Sequence, residues 1–265
     1  MRRTVSAHLD LDVAEPTLLA LLIAVAEGTH ERSEELTIDH GGHRLEATEL
    51  AGPHGTRLHR LRAPAGRLSI DYRATVVGRD EPPPADEHEL ISYLRPSRYA
   101  ESDRVIGLAG VEFAGLAGTG LLAAVGQWVE AHVEYVPGSS GPTDGAVQTV
   151  LGGQGVCRDF AHLTVSLLRA MDVPARLAAV YAPGLDPMDF HAVAEAHVEG
   201  AWHVVDATHL APRGSMLRIS TGRDAADTAF LSTYGGQVTL LAQEVVAVVD
   251  GDLPLEDWSQ LVRLG

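Results

Sequence analysis

Apolar and polar positions alternate with a period near two through roughly the first eighty residues. "TVSAHLDLDV" alternates over part of its length, and "ELTIDHGGHRLEATEL" reads as two strands meeting at Gly41-Gly42. "TRLHRLRAP" and "RLSIDYRATVV" follow as further alternating runs, separated by Pro64 and Gly66. Short strands with regular turn signals predict a small β-sandwich. The alternation stops at "GRDEPPPADEHE", where consecutive prolines in an acidic stretch predict extended, exposed chain. A linker is expected there, with a domain boundary near residue 85: a β-rich unit over 1–85 and a second domain over 86–265.

Beyond the linker the period changes. "LLAAVGQWVEAHVEYV" places Leu121, Leu122, Val125, Trp128, Val129, His132 and Val133 on one helical face, with Pro137 as a stop. "TDGAVQTVL" predicts a short helix capped by Thr143 or Asp144. From Cys157 to Met171 the chain is nearly all apolar, apart from a stripe of Arg158, His162, Ser166 and Arg169, so a largely buried helix is expected. "ARLAAVYA", "FHAVAEAHV" and "AWHVVDAT" then read as strands, the last two joined at Glu199-Gly200.

The composition narrows the possible functions. Hydrophobic residues make up 45% of the chain, which is ordinary for a globular protein, and the longest apolar run, Leu18 to Ala26, is too short to cross a bilayer. The opening "MRRTVSAHLDLD" lacks a small-residue cleavage site after an apolar stretch and reads as mature protein. A net charge of −16 without a basic run makes nucleic acid and anionic membranes poor partners. All 20 basic residues are arginine, a bias that genome composition explains. The single cysteine, Cys157, cannot form an internal disulfide and fits a reducing, cytoplasmic setting.

That cysteine opens the buried helix and follows a glycine-rich approach, Gly152, Gly153 and Gly155. The positive end of a helix favours a thiolate, and its unpaired N–H groups, that of Cys157 included, can receive a developing oxyanion. A base and an orienting group are also at hand. A hairpin turning at Glu199-Gly200 sets His197 opposite Trp202 and Val193 opposite Asp206. His191 and Asp206 then share a face on a diagonal of roughly 7–8 Å, near enough for their side chains to meet. Cys157 as nucleophile, His191 as general base and acid, and Asp206 orienting His191 make a consistent acyl-transfer set.

"GVCRDFAHLTVSLLRAMDVPAR", "DFHAVAEAHVEGAWHVVDAT" and "GRDAAD" resemble the bacterial transglutaminase-like superfamily, including its transglutaminase-like cysteine proteases. "YLRPSRYAESD" is similar to the lead-in of that family's core, and the β-rich first third to its N-terminal domain. The resemblance implies an α+β fold, with a papain-like transglutaminase core behind a small β-sandwich. It also places the family's catalytic cysteine, histidine and aspartate on Cys157, His191 and Asp206. Val193 stands where many members carry tryptophan, and Ala207 where proline is usual. The expected substrate is a peptide or protein, with water as the acceptor in a cysteine peptidase or amidase, or a primary amine in a transglutaminase. A catalytically silent scaffold on the same fold is the third reading.

No cofactor or metal is expected. His191, Glu195, His197 and His209 invite a metal reading, but His191 and His197 would lie roughly 20 Å apart along one strand and could not share an ion. Glu195 reads as a structural hydrogen-bonding residue, and His162 as a solvated or hydrogen-bonded one.

Overall fold

The computed structural model describes residues 1–81 and 84–265; Pro82 and Pro83 of the expected linker lie outside the described residues. Seven strands come first: β1 (Arg2–Val13), β2 (Thr17–Leu21), β3 (Glu31–His40), β4 (His43–Arg44), β5 (Thr48–Ala51), β6 (Arg57–Ala63) and β7 (Gly66–Val77). The alternation is realised directly. Val5, Ala7, Leu9, Leu11 and Val13 of β1 point inward with Leu68, Ile70, Tyr72, Ala74 and Val76 of β7, all at most 3% exposed. Gly41 and Gly42 make the expected tight turn, but the return strand β4 is only two residues long. The chain then crosses to the other sheet as β5, which pairs with β6.

Helix α1 (Glu87–Ser92) starts at Asp86, whose carboxylate accepts the Glu89 N–H at 2.7 Å. Next come α2 (Ile106–Glu112), α3 (Gly118–His132), β8 (Glu134–Tyr135), α4 (Ala146–Gly152), β9 (Gln154–Gly155) and α5 (Cys157–Ala170). The expected cap of α4 differs: Gly145 is the N-cap, and Asp144 instead accepts the Gly141 N–H. Helix α5 is buried continuously from Asp159 to Arg169 and packs on an antiparallel sheet. That sheet comprises β10 (Ala175–Tyr181), β11 (Phe190–Val198), β12 (Ala201–Val205) and β13 (Leu217–Gly222), ordered β12-β11-β10-β13. One apolar core fills the space between α5, α3 and this sheet, with Leu163, Leu167, Leu168, Val125, Val129, Ala194 and Ala196 at its centre.

After the short helix α6 (Ala225–Thr228) the chain returns to the β unit as β14 (Leu231–Tyr234) and β15 (Val238–Val249). β14 completes the sheet β14-β2-β6-β5, and β15 the sheet β15-β1-β7-β3-β4. The β-sandwich therefore extends beyond the boundary expected near residue 85, and strands from 231–249 complete both of its sheets. β15 pairs with β1 along nearly its whole length, burying Val245 and Ala247. The sandwich core also takes in Tyr181, Leu217 and Ile219 from the helix-backed sheet, so the two units are packed against one another.

Candidate active site

The N-terminus of α5 is held by a side chain one turn into it. Asp159 is fully buried, and its carboxylate accepts the Val156 N–H at 2.9 Å, a bond from Ser140 Oγ, and the Arg158 guanidinium at 3.0 Å. The capped N–H and the neutralising arginine fix the helix start against the 140–141 loop, which Arg158 also grips through the Gly141 carbonyl at 2.8 Å. The glycines ahead of the cysteine have local causes. Gly153 ends α4 at φ +63, in the left-handed region, and a Cβ on Gly155 would come within 2.7 Å of Asp159 Cβ. Cys157 emerges from this corner half-buried, with its thiol in no disulfide.

The hairpin facing it has the predicted register. Val198 pairs with Ala201, His197 with Trp202 and Glu195 with Val204, and Glu199 and Gly200 carry the positive φ values of a tight turn. His191 and Asp206 meet across the diagonal, with His191 Nε2 2.9 Å from Asp206 Oδ2 and both side chains buried. Asp206 Oδ1 accepts the N–H of Thr208 at 3.0 Å and its hydroxyl at 2.7 Å, so both carboxylate oxygens are occupied. Burial opposes charge on both partners, but their mutual attraction prevails. His191 is pushed up to about 10, helped by Cys157, while Asp206 is held below the usual carboxylate range by His191 and Thr208. His191 Nδ1 is buried and has no hydrogen bond of normal geometry. With Nε2 committed to Asp206, Nδ1 is the ring nitrogen left for Cys157, whose sulfur lies near enough to act on the imidazole.

Tyr135 was not singled out by the sequence pattern. It pairs with Gly155 across β8 and β9, its ring lies 5.9 Å from that of Phe160, and its hydroxyl faces the Cys157 backbone N–H. Burial, then the charge of Cys157, pushes the phenol up to about 12, so it stays protonated. Thr208 was missed as well, although "DAT" is the local pattern in which a Thr two residues on bonds back to an Asp.

The other residues considered are taken up structurally. Glu195, 1% exposed, lies between Arg176 Nε at 2.9 Å and Arg218 at 2.6 and 2.8 Å, and these cations hold it near 2 against burial, with its pKa lowered to about 2. His209 Nδ1 sits 2.9 Å from Glu130, and His197 packs on Trp202. His162 is fully buried: burial lowers it to about 4, and its Nε2 accepts the Ala225 N–H at 3.1 Å. Arg169, on the same stripe, donates to the carbonyls of Ala175, Arg95 and Arg223 at 2.8–2.9 Å. In "GRDAAD", Asp224 accepts the N–H groups of Ala226 and Tyr99. The stripe and this cap thus tie α5 to 95–99 and 223–225. Among the described residues no cluster of three or more His, Cys, Asp or Glu side chains could hold a metal. A cavity of about 770 Å³ lies elsewhere, between the β unit and α1, beside His54, Glu89 and Tyr93.

The profile of the transglutaminase-like superfamily matches residues 117–207, a span that includes Cys157, His191 and Asp206. A crystal structure of a candidate cysteine protease from Cytophaga hutchinsonii is 30% identical and superposes with a TM-score of 0.87, covering 98% of this chain and 96% of that one. The periplasmic domain of TgpA from Pseudomonas aeruginosa is 18% identical, with a TM-score of 0.46 over 78% of this chain and 90% of that one. The protein ML0607 of Mycobacterium leprae (strain TN) is 29% identical over 125 residues, 44% of this chain and 45% of that protein. The match thus spans just under half of that relative's length. With 30% identity sustained over nearly the whole of both chains, and with the superfamily profile falling on the cysteine helix and the hairpin, this protein belongs to the transglutaminase-like superfamily.

Proposed function

We propose that the chain is a thiol-dependent acyl-transfer enzyme acting on amide bonds through Cys157, His191 and Asp206, with water as the acceptor: a cysteine peptidase or amidase. One observation carries the reading. A fully buried imidazole commits Nε2 to a carboxylate and leaves Nδ1 without a partner beside the chain's single thiol, at the start of a buried helix. His162 also buries an Nδ1 without a partner, so what sets His191 apart is the thiol beside its open nitrogen together with the carboxylate on the other. The name of the Cytophaga hutchinsonii relative supports the hydrolytic form.

The steps follow from the charges. Asp206 holds His191 protonated at neutral pH, and an imidazolium beside the thiol favours the thiolate as attacking species. Sulfur adds to the amide carbonyl, and the oxyanion falls to the Cys157 N–H and to the protonated Tyr135 hydroxyl that faces it. His191 Nδ1 gives its proton to the departing amine, leaving a thioester. The neutral imidazole then takes a proton from water, the C–O bond forms as C–S breaks, and the thiolate–imidazolium pair is restored.

The test is alkylation of Cys157 by iodoacetamide across pH, in wild type and His191→Ala; a single cysteine leaves no competing signal. Rapid alkylation well below the range in which free thiols ionise, about pH 8.5, and its loss in the variant are expected. Identical slow profiles in both proteins would dispose of the proposal.

A further inference from the structure

The residue two positions before His191 carries a carboxylate that the acyl-transfer steps do not use. Asp189 is exposed, immediately precedes β11, and lies two residues before His191, roughly 7 Å along the extended chain. Its Oδ1 is fixed twice, by the Phe190 N–H at 2.7 Å and by the side-chain amide of Gln243 on β15. Its Oδ2 accepts nothing among the described residues. The carboxylate is therefore aimed, by an amide reaching over from the β-sandwich, while one oxygen stays open. Its charge is felt at both the Tyr135 hydroxyl and His191. Among the described residues no arginine is paired with it, and His191 is the cation whose charge acts on it.

Its position also decides which part of the substrate it meets. His191 serves the departing amine in the first half of the reaction and the incoming acceptor in the second. An exposed carboxylate two residues away from it is placed to meet the leaving-group and acceptor side. A neutral amide holds Oδ1 without neutralising it, so the open oxygen calls for a positive charge.

We propose that Asp189 determines specificity at this site, selecting leaving groups and acceptors that carry a positive charge close to the reacting nitrogen. This rests on the acyl-transfer reading. With a diamine as acceptor, one amine is deprotonated and reacts while the other, as ammonium, sits against Asp189 Oδ2. The C–N bond forms as the thioester C–S bond breaks, and the proton lost by the attacking nitrogen stays on His191, restoring the thiolate–imidazolium pair. Two sources of the cation share this chemistry: a basic residue following the scissile bond, and a free polyamine-like acceptor.

Two measurements test it, one independent of catalysis. In the first, Cys157 is modified by cationic, neutral and anionic methanethiosulfonates, each rate being divided by that of free cysteine. The cationic reagent is expected to lead the anionic one, and Asp189→Asn to reduce that ratio about fivefold, the scale of a partly screened charge pair. Asp189→Glu should retain it. Glu31→Gln, which removes the same charge from an exposed position on β3, should leave it unchanged. In the second, acyl-enzyme formed from an activated ester is partitioned between 1,5-diaminopentane and pentylamine, and peptide amides with basic or neutral residues after the scissile bond are compared by kcat/KM. A preference in the first comparison marks the free amine as the source, and in the second the peptide; either should fall toward unity in Asp189→Asn. If reagent selectivity follows Asp189 while no ester or amide turns over, the charge selection stands and the acyl-transfer reading fails. If turnover occurs but neither ratio moves in Asp189→Asn, the role given to Asp189 is wrong.

Discussion

Strand β11 carries two buried ionic clusters on one face, four residues apart: His191 with Asp206, and Glu195 with Arg176 and Arg218. Both centres are displaced strongly from their ordinary pKa, His191 upward and Glu195 downward, so perturbation alone does not separate them. Saturation does. Glu195 receives three arginine hydrogen bonds of 2.6–2.9 Å, and Arg176 is further enclosed by Glu89 at 2.6 Å and by the Trp202 ring at 3.9 Å. His191 is satisfied on one side only, and its open nitrogen is the one left for the half-buried thiol. A saturated charge cluster locks strands together. A cluster with one position left open has a group to offer a substrate.

The sharpest way to break the comparison is to remove one charge from each cluster and read activity and stability separately. Asp206→Asn should lower kcat/KM by about 10³–10⁴-fold, since the amide keeps the shape of the carboxylate but no longer holds the imidazolium. Folding should be affected less, and in a pH-dependent way. The folded pKa of His191 is raised, so its contribution is complete below the ordinary 6.5 and lost as pH rises toward about 10. The lowered pKa of Asp206 gives a contribution present above 3.8 and lost as acid protonates the carboxylate. Unfolding free energies of wild type and Asp206→Asn should thus differ most between these values and converge at alkaline pH. A difference that grows from pH 7 to pH 10 would contradict the assignment.

Glu195→Gln should do the reverse. It leaves two buried guanidiniums facing a neutral amide and should cost about 3–5 kcal/mol of stability, the range found when one partner of a buried ion pair is removed. Cys157 alkylation in the fraction that stays folded should keep its wild-type pH profile. Denaturant titration and alkylation of the same samples separate the two effects. Equal losses of stability and thiol reactivity in Glu195→Gln would mean that the clusters form one network and that the contrast between them is false.

The hairpin could be read from the sequence because its register is fixed locally. Glu199-Gly200 dictates a tight turn, and side chains that alternate faces then have no freedom over which meet. The start of α5 was legible for the same reason. The polar stripe on α5 was only half legible. His162 and Arg169 stood out, but their partners at Ala225, Arg95 and Arg223 lie more than fifty residues away along the chain. No periodicity encodes such contacts. β15 was hidden in the same way: "VTLLAQEVVAVV" is strand-like, but its pairing with β1 closes a loop of over two hundred residues. Tyr135 follows a helix and is 38% exposed, so burial patterning carried no trace of it.

The smallest expected effect tests how the open cluster is held in place, and a pair of glycines makes it readable. In Gly155→Ala the added methyl would lie 2.7 Å from Asp159 Cβ and 3.1 Å from Oδ2, pressing on the carboxylate that caps α5 through the Val156 N–H. Either the cap opens or β9 shifts, and both move the backbone that carries Cys157. A stability cost of about 1–3 kcal/mol is expected from the overpacking, with about a tenfold slower alkylation at neutral pH as the thiol leaves its alignment with His191. Gly152→Ala is the control, because nothing lies within 4 Å of its Cβ position and it falls at the end of α4. It should leave alkylation unchanged and stability equal or slightly higher, through the reduced freedom of the unfolded chain. If both variants slow the thiol alike, flexibility of the glycine-rich approach is what matters. If only Gly155→Ala does, the buried Asp159 cap positions the reactive end of the helix, and the open cluster on β11 depends on a saturated one beneath the cysteine.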